Sequence, residues 1–293
     1  MSNNLYHIYD KIFKKILTLS ATAVINLING LFGTNYPLDS TITYNWTEFE
    51  DKELKKVLAD TIITINGIFS YHIEAQMTED EDIIFRVVEY GYGHAGRNSS
   101  KSDGLYILRF PEPKIIYFCT KGNVPEKFTL QLDFGSQGTF LYQVSTFNYL
   151  KTTPSELTEK KLIILIPFEL LKLREIMKKE RTPENLEALK NLIQSDIIGS
   201  INENLRVENI TLDDARRLRR LTHKLYEHIY SHYEEMEDLN DMTDESLMLD
   251  IDIIEKEHEK ELAEKDKEIA RSHEEIALLK QQILELSNKS DSN

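Results

Sequence analysis

Residues 60 to 77, DTIITINGIFSYHIEAQM, constrain the fold more tightly than any other stretch of this chain. Two runs rich in Ile, Thr, Tyr and Phe flank Asn66-Gly67, a dipeptide that accepts the positive φ of a tight turn, so the segment predicts a β-hairpin. On the returning strand Phe69, Tyr71, Ile73, Ala75 and Met77 share one face, and Ser70, His72, Glu74 and Gln76 share the other. A two-residue turn would pair Ile65 with Ile68 and set Asp60 and Glu74 on opposite faces. A three-residue loop of Asn66, Gly67 and Ile68 pairs Ile65 with Phe69, Ile63 with Tyr71, and Asp60 with Glu74. Only the second register aligns the apolar faces, and because a one-residue slip reverses every side chain, the apolar pattern selects it. Two carboxylates and one amide then meet on one polar face.

Carboxylates facing each other on adjacent strands repel unless a proton or a cation lies between them. An oxygen-rich site of this kind suits Mg²⁺ or Mn²⁺, which accept one or two carboxylates, keep several waters and polarise a phosphoryl oxygen. Gln76 could then position a water or a phosphate oxygen. The plainer reading is that Asp60 opens a strand and Glu74 is a solvated face residue. His72, between the acids, reads as a surface histidine unless it serves as ligand or base.

A chain of 293 residues can bury a full core and hold one large or two smaller domains. With 41% hydrophobic and 29% charged residues, the composition is that of a globular protein rather than a disordered one. The longest apolar stretch, LIILIPFELL, is too short for a bilayer and is broken by Pro167 and Glu169, so no membrane association is expected. The opening residues lack the order of a signal peptide, and the one cysteine, Cys119, rules out an internal disulfide framework and a cysteine zinc cluster. A reducing, cytoplasmic compartment follows as the expectation.

The net charge of −15 would disfavour nucleic acid as a partner if it were evenly spread. Residues 1–170 carry 16 basic and 20 acidic side chains, and residues 171–233 carry 12 and 10. Residues 234–261 carry 2 and 13, so most of the acidity sits in one short segment that reads as a linker and leaves the body free to bind nucleic acid.

In chain order, residues 5 to 32 read as one amphipathic helix with stops at Asn29-Gly30 and Gly33. Residues 41 to 46 are a strand candidate. After the hairpin, an acidic cluster at residues 79 to 82 opens a helix running to about Gly91. Residues 91 to 104 have the composition of a mobile loop. LYILRF, KIIYFC, FTLQLDF and TFLYQVSTF then read as strands, and after Pro154 the chain is helical, with helices at about 184–205 and 211–233. Leu262, Ile269, Ile276 and Ile283 recur every seven residues, with Leu279 and Leu286 at partner positions, the mark of a short coiled coil and of self-association.

An aspartate opening a strand, then a hairpin, then Glu-x-Gln on the return, resembles the PD-(D/E)XK nuclease superfamily. More narrowly, the chain is similar to the Rpn family of recombination-promoting nucleases and transposase-like proteins. The landmarks are YDKIFKKIL, LADTIITING, YHIEAQM, FRVVEYGYGH and KLIILIPFELLKLR, in that order over about residues 6 to 175. The resemblance implies an α/β fold with a PD-(D/E)XK restriction-endonuclease-like core over 1–150, a mixed sheet flanked by helices. A helical extension over 151–233, the acidic linker over 234–261 and a coiled coil over 262–287 follow. It implies a divalent-metal-dependent DNA endonuclease in a recombination or mobile-element setting. Asp60 and Glu74 would hold Mg²⁺ or Mn²⁺, with Asp10 of the first helix as a further metal ligand or as the i,i+4 partner of Lys14. Gln76 would occupy the catalytic position that the superfamily gives to lysine, a departure that lowers the charge available there.

Lys14, Arg86, Arg97 and Lys101 are candidate phosphate contacts, and Arg216, Arg217 and Arg220 lie in the densest basic run, either a DNA contact or a helix face paired with Asp213 and Asp214. A catalytically weak or inactive nuclease-derived module, binding DNA or protein and oligomerising through its coiled coil, is the alternative.

Overall fold

The computed structural model describes residues 2–50, 56–78, 80, 82–118, 124–230 and 233. The acidic segment 234–261, the heptads of 262–287 and Cys119 lie outside the described residues. The architecture is α/β, with one mixed six-stranded sheet flanked by helices. Strands β1 (Ile42–Glu50), β2 (Lys56–Ile65), β3 (Phe69–Gln76), β6 (Glu112–Tyr117), β7 (Lys127–Asp133) and β8 (Thr139–Asn148) lie in the order β1-β2-β3-β6-β8-β7.

The hairpin adopts the register that the apolar faces select. Ile65 pairs with Phe69, Ile63 with Tyr71 and Thr61 with Ile73 across a loop in which Asn66 and Gly67 have φ of 52° and 68°. Ile68 N–H donates to the Ile65 carbonyl at 3.1 Å, closing the turn. β3 is the pivot of the sheet, antiparallel to β2 on one side and parallel to β6 on the other. A parallel neighbour needs a long crossover, supplied by helix α3 (Ile83–Arg97) and a small hairpin of β4 (Ser100–Ser102) and β5 (Leu105–Ile107). Two expectations are corrected there. The helix after the hairpin runs past Gly91 to Arg97, and residues 100 to 107 form a hairpin turning at Asp103-Gly104, whose φ values are 52° and 81°. Gly91 belongs inside α3 because a Cβ there would meet the Phe110 ring at 3.1 Å.

α3 covers one face of the sheet. Its Ile83, Ile84 and Val87 pack with Ile115, Tyr117 and Val144. The opposite face is covered by α1 (Ser2–Ile16), α2 (Ala21–Phe32) and a 3₁₀ stretch, Ile163–Leu170. There Phe118 lies 4.2 Å from Phe168 and 6.1 Å from Phe13 by ring centroids, and Phe32 lies 4.6 Å from Tyr71. The single helix expected over residues 5 to 32 is two helices, with Ile8–Ile16 and Ala21–Phe32 bent 105° apart. Ser20 ends the first by capping the second, its Oγ accepting from Ala23 N–H at 3.2 Å. Both halves bury their apolar stripes, so the hydrophobic period runs through the break. Among the described residues no single helix is long and apolar enough to cross a membrane.

Gly30 does not stop α2, which continues to Phe32 and ends at Gly33 in the left-handed conformation with φ of 67°. Gly30 is instead a point of close approach: a Cβ there would lie 2.0 Å from the Lys160 carbonyl oxygen and 2.7 Å from Leu162 Cδ2. Gly30→Ala is therefore expected to cost about 3 kcal/mol, because backbone rather than a movable side chain would have to give way. Thermal unfolding of the variant checks this, and an unchanged melting temperature would contradict it.

The helices beyond Thr153, namely α4 (Pro154–Glu159), α5 (Leu171–Lys179), α6 (Pro183–Asn191), α7 (Gly199–Arg206) and α8 (Leu212–Tyr230), share this second core. α8 buries Leu218, Leu225 and Tyr226, places His228 6.0 Å from Tyr9 of α1, and donates from Tyr230 Oη to the Leu170 carbonyl. Asp214 at its start is 1% exposed and binds Ser20, joining the N-termini of α2 and α8.

Candidate functional site

The polar face of β3 is not solvated. α3 lies over it, and His72, Glu74 and Gln76 are 1%, 3% and 9% exposed. The readings of Glu74 as a solvated acid and of His72 as a surface histidine are thereby overturned. The cause is the parallel pairing of β3 with β6, which brings the α3 crossover down on this face.

Glu74 Oε1 accepts from Gln76 Nε2 at 2.8 Å and lies 3.4 Å from Arg86 Nη2. Arg86, half-exposed on α3, divides its guanidinium between Glu74 and Asp80, the latter at 3.0 Å. Glu74 Oε2 is buried without a hydrogen-bond partner. Its neighbour is His72 Nε2 at 3.8 Å, too far for a hydrogen bond, and both ring nitrogens of His72 are also unpartnered. A buried carboxylate oxygen left this way is costly. A divalent cation would offset that cost, and the donor set of carboxylate, imidazole and amide fits one.

Asp60 lies on β2 one residue before Thr61, where the pairing of β2 with β3 ends at Ile73. The Asp60 side chain lies outside what the structure describes. From the pair Trp46–Thr61 to the pair Glu48–Leu58, β1 advances two residues and β2 three, so β2 carries a bulge at residues 59 and 60 that interrupts the ladder there. Among the described residues no three His, Cys, Asp or Glu side chains gather as a metal cage. Asp10 pairs with Lys14 at 2.9 Å, the i,i+4 partner anticipated for it.

The other basic candidates are dispersed. Arg97 closes the last turn of α3, and Lys101 on the β4–β5 hairpin stands 5.0 Å over the Tyr106 ring. Arg217 donates to Thr18 Oγ1 at 3.0 Å and faces Asp213 at 4.0 Å, tying α8 to the α1–α2 corner, while Arg220 is exposed and Arg216 partly buried. A cavity of about 560 Å³ lined by Ser155, Glu159, Ser195 and Glu203 includes none of the sequence-derived candidates.

Sequence reading missed a polar chain running beside the acids. Asn45 Nδ2 donates to Thr64 Oγ1 at 3.2 Å, Thr64 Oγ1 and Ser70 Oγ share a bond of 2.9 Å, and Ser70 Oγ meets His94 Nε2 at 3.1 Å. The alternation of Thr64 and Ser70 with apolar residues was visible, but nothing local linked them to His94 on α3.

Burial pushes the His72 imidazole down to about 4, helped by the neighbouring His94, so its approach to Glu74 is not an ion pair. His94 is also lowered, by burial and then by Arg97. An unfolded chain takes up these protons near pH 6.5, whereas the folded chain refuses the His72 proton until about 4. Stability is thus complete above about pH 6.5 and falls as pH drops toward 4, by about 3 kcal/mol from His72 alone. Urea unfolding at pH 7 and pH 4.5 should show this loss in the wild type and a shallower one in His72→Leu. An equal acid loss in both would refute the assignment.

Compared with family models, with curated proteins and with solved structures, the chain finds no match in any of the three.

Proposed function

We propose that the end of β3 is the centre of a divalent-metal-dependent DNA endonuclease of the PD-(D/E)XK type, in the Rpn-like setting that the sequence landmarks suggest. The observation that carries this reading is the buried Glu74 carboxylate, whose Oε2 lacks a partner beneath α3. Asp60 and Glu74 would hold Mg²⁺ or Mn²⁺, which when bound lowers the pKa of water and polarises a phosphoryl oxygen.

The chain's own groups do the rest. The Gln76 amide nitrogen is committed to Glu74, leaving its carbonyl oxygen to accept a hydrogen bond from the attacking water and aim it. Gln76 carries no charge, and Arg86, half-exposed and 3.4 Å from Glu74, would supply the positive charge that a lysine brings elsewhere in the superfamily. The phosphate backbone would be drawn by Lys14, Arg97, Lys101 and Arg220. Pairing of two copies through residues 262–287 would place two such centres on one duplex.

The alternative, a binding module that does not cut, draws on the same Arg86–Glu74 approach, which already partly neutralises the carboxylate. The deciding experiment incubates plasmid with the full chain and Mg²⁺ or Mn²⁺, beside Asp60→Asn and Glu74→Gln. Cutting by the wild type alone supports the enzyme. No cutting by any of the three favours the module, and equal cutting by all three rejects the site.

A further inference from the structure

We infer that His72 is a nitrogen ligand of this centre, sharing one divalent cation with Glu74 and tuning the site toward Mn²⁺ over Mg²⁺. The inference rests on the metal-dependent reading above and adds a residue and an ion preference to it.

The argument begins with what surrounds the imidazole. Its cross-strand neighbours are Ile62 on β2 and Pro113 on β6, and neither side chain offers a polar atom. Tyr90 of α3 meets the ring edge-on, with centroids 6.0 Å apart, which holds its plane without satisfying its nitrogens. His94, on α3 itself, turns its Nε2 to Ser70 instead. Both nitrogens of His72 are therefore buried and unpartnered, in an interior where nearly all polar groups find partners.

Glu74 Oε2 is unpartnered in the same way, and the two orphaned atoms face each other at 3.8 Å. Direct hydrogen bonding would draw them to about 3 Å. Two adjacent donors on one octahedral ion, each at a bond length of about 2.1 Å, stand about 3 Å apart, so a side-chain movement of roughly 1 Å would bring this pair onto one cation. Two residues along the strand, Gln76 holds the other Glu74 oxygen, so Oε2 keeps its direction toward the ring.

An imidazole ligand changes which ion the site takes. Mg²⁺ is bound through carboxylates, carbonyls and water, whereas imidazole suits transition metals. A centre of two carboxylates and one imidazole is thus expected to prefer Mn²⁺, and a centre of the carboxylates alone would lose that preference.

The test titrates Mn²⁺ and Mg²⁺ separately into the full chain, its His72→Leu variant and its Glu74→Gln variant. Binding is read by calorimetry, and nitrogen at bound Mn²⁺ is read by electron spin-echo modulation. The expected result is tighter binding of Mn²⁺ than of Mg²⁺ and a nitrogen signal from the wild type. His72→Leu should weaken Mn²⁺ on the order of 10- to 100-fold and leave Mg²⁺ little changed. Mn²⁺ binding that depends on Glu74 but shows no nitrogen signal would overturn the role of His72 while leaving the metal-dependent reading standing. Absence of binding by either ion would overturn both. If His72→Leu does not fold, the wild-type nitrogen signal decides the question alone.

Discussion

Glu74→Gln is expected to remove divalent-metal-dependent cutting of plasmid DNA, with a loss of at least about 100-fold, while the protein stays folded. The substitution keeps the size of the side chain and its acceptor oxygen, so Gln76 and Arg86 retain a partner at the positions now 2.8 and 3.4 Å away. It removes the negative charge on which cation binding depends. Because the group is 3% exposed, exchanging a buried carboxylate for an amide should change stability by no more than about 1 kcal/mol. Glu74→Ala is the poorer probe, since it strands the Gln76 amide and opens a cavity beneath α3. Asp60→Asn should match Glu74→Gln in activity. Retention of full cutting by either variant, with matched melting curves, would remove this strand end from the mechanism.

The largest effect on stability is expected at Asp214. This carboxylate accepts from Ser20 N–H at 2.7 Å, from Ser20 Oγ, from Thr211 N–H at 3.0 Å and from Thr211 Oγ1 at 2.8 Å. Thr211 Oγ1 in turn accepts from Asp214 N–H at 3.1 Å, so one side chain both closes a reciprocal cap on α8 and fastens the start of α2, 194 residues earlier. Asp214→Ala removes a buried acceptor of four hydrogen bonds from half-buried Ser20 and from Thr211, and should cost about 3 to 5 kcal/mol, read as a lowered urea midpoint at constant slope. Asp214→Asn keeps one oxygen and should lose roughly half as much. A shift below about 1 kcal/mol for Asp214→Ala would mean that the donors find water and that the tie is of little consequence.

The hairpin was the most legible part of the chain because two independent local signals agree in it. Asn66-Gly67 permits the turn, and period-two alternation admits one register. Thr211 with Asp214 was legible for the same reason, as a helix start written within four residues. What alternation cannot say is what covers a face. His72 and Glu74 alternate with apolar residues as exposed side chains would, and their burial depends on β6, about forty residues later, pairing parallel to β3. The apolar stripe of residues 5 to 32 likewise hid the bend at Ser20, since both helices bury their stripes. Residues 91 to 104 looked like a loop because glycine and serine make up half of them, yet Gly91 sits in a helix to admit Phe110, and Asp103-Gly104 is a turn signal like the one in the main hairpin.

The bond between Ser20 and Asp214 also governs what happens while the chain is being made. At about 5–20 residues per second, the first two helices leave the ribosome on the order of 10–40 s before α8 does. Through that interval Ser20 at the α2 N-terminus lacks its acceptor, and Tyr9 of α1 lacks the His228 ring of α8. The growing chain is thus exposed to chaperones and proteases until its last described helix arrives, and a message truncated near residue 150 would leave a product that never gets past that stage.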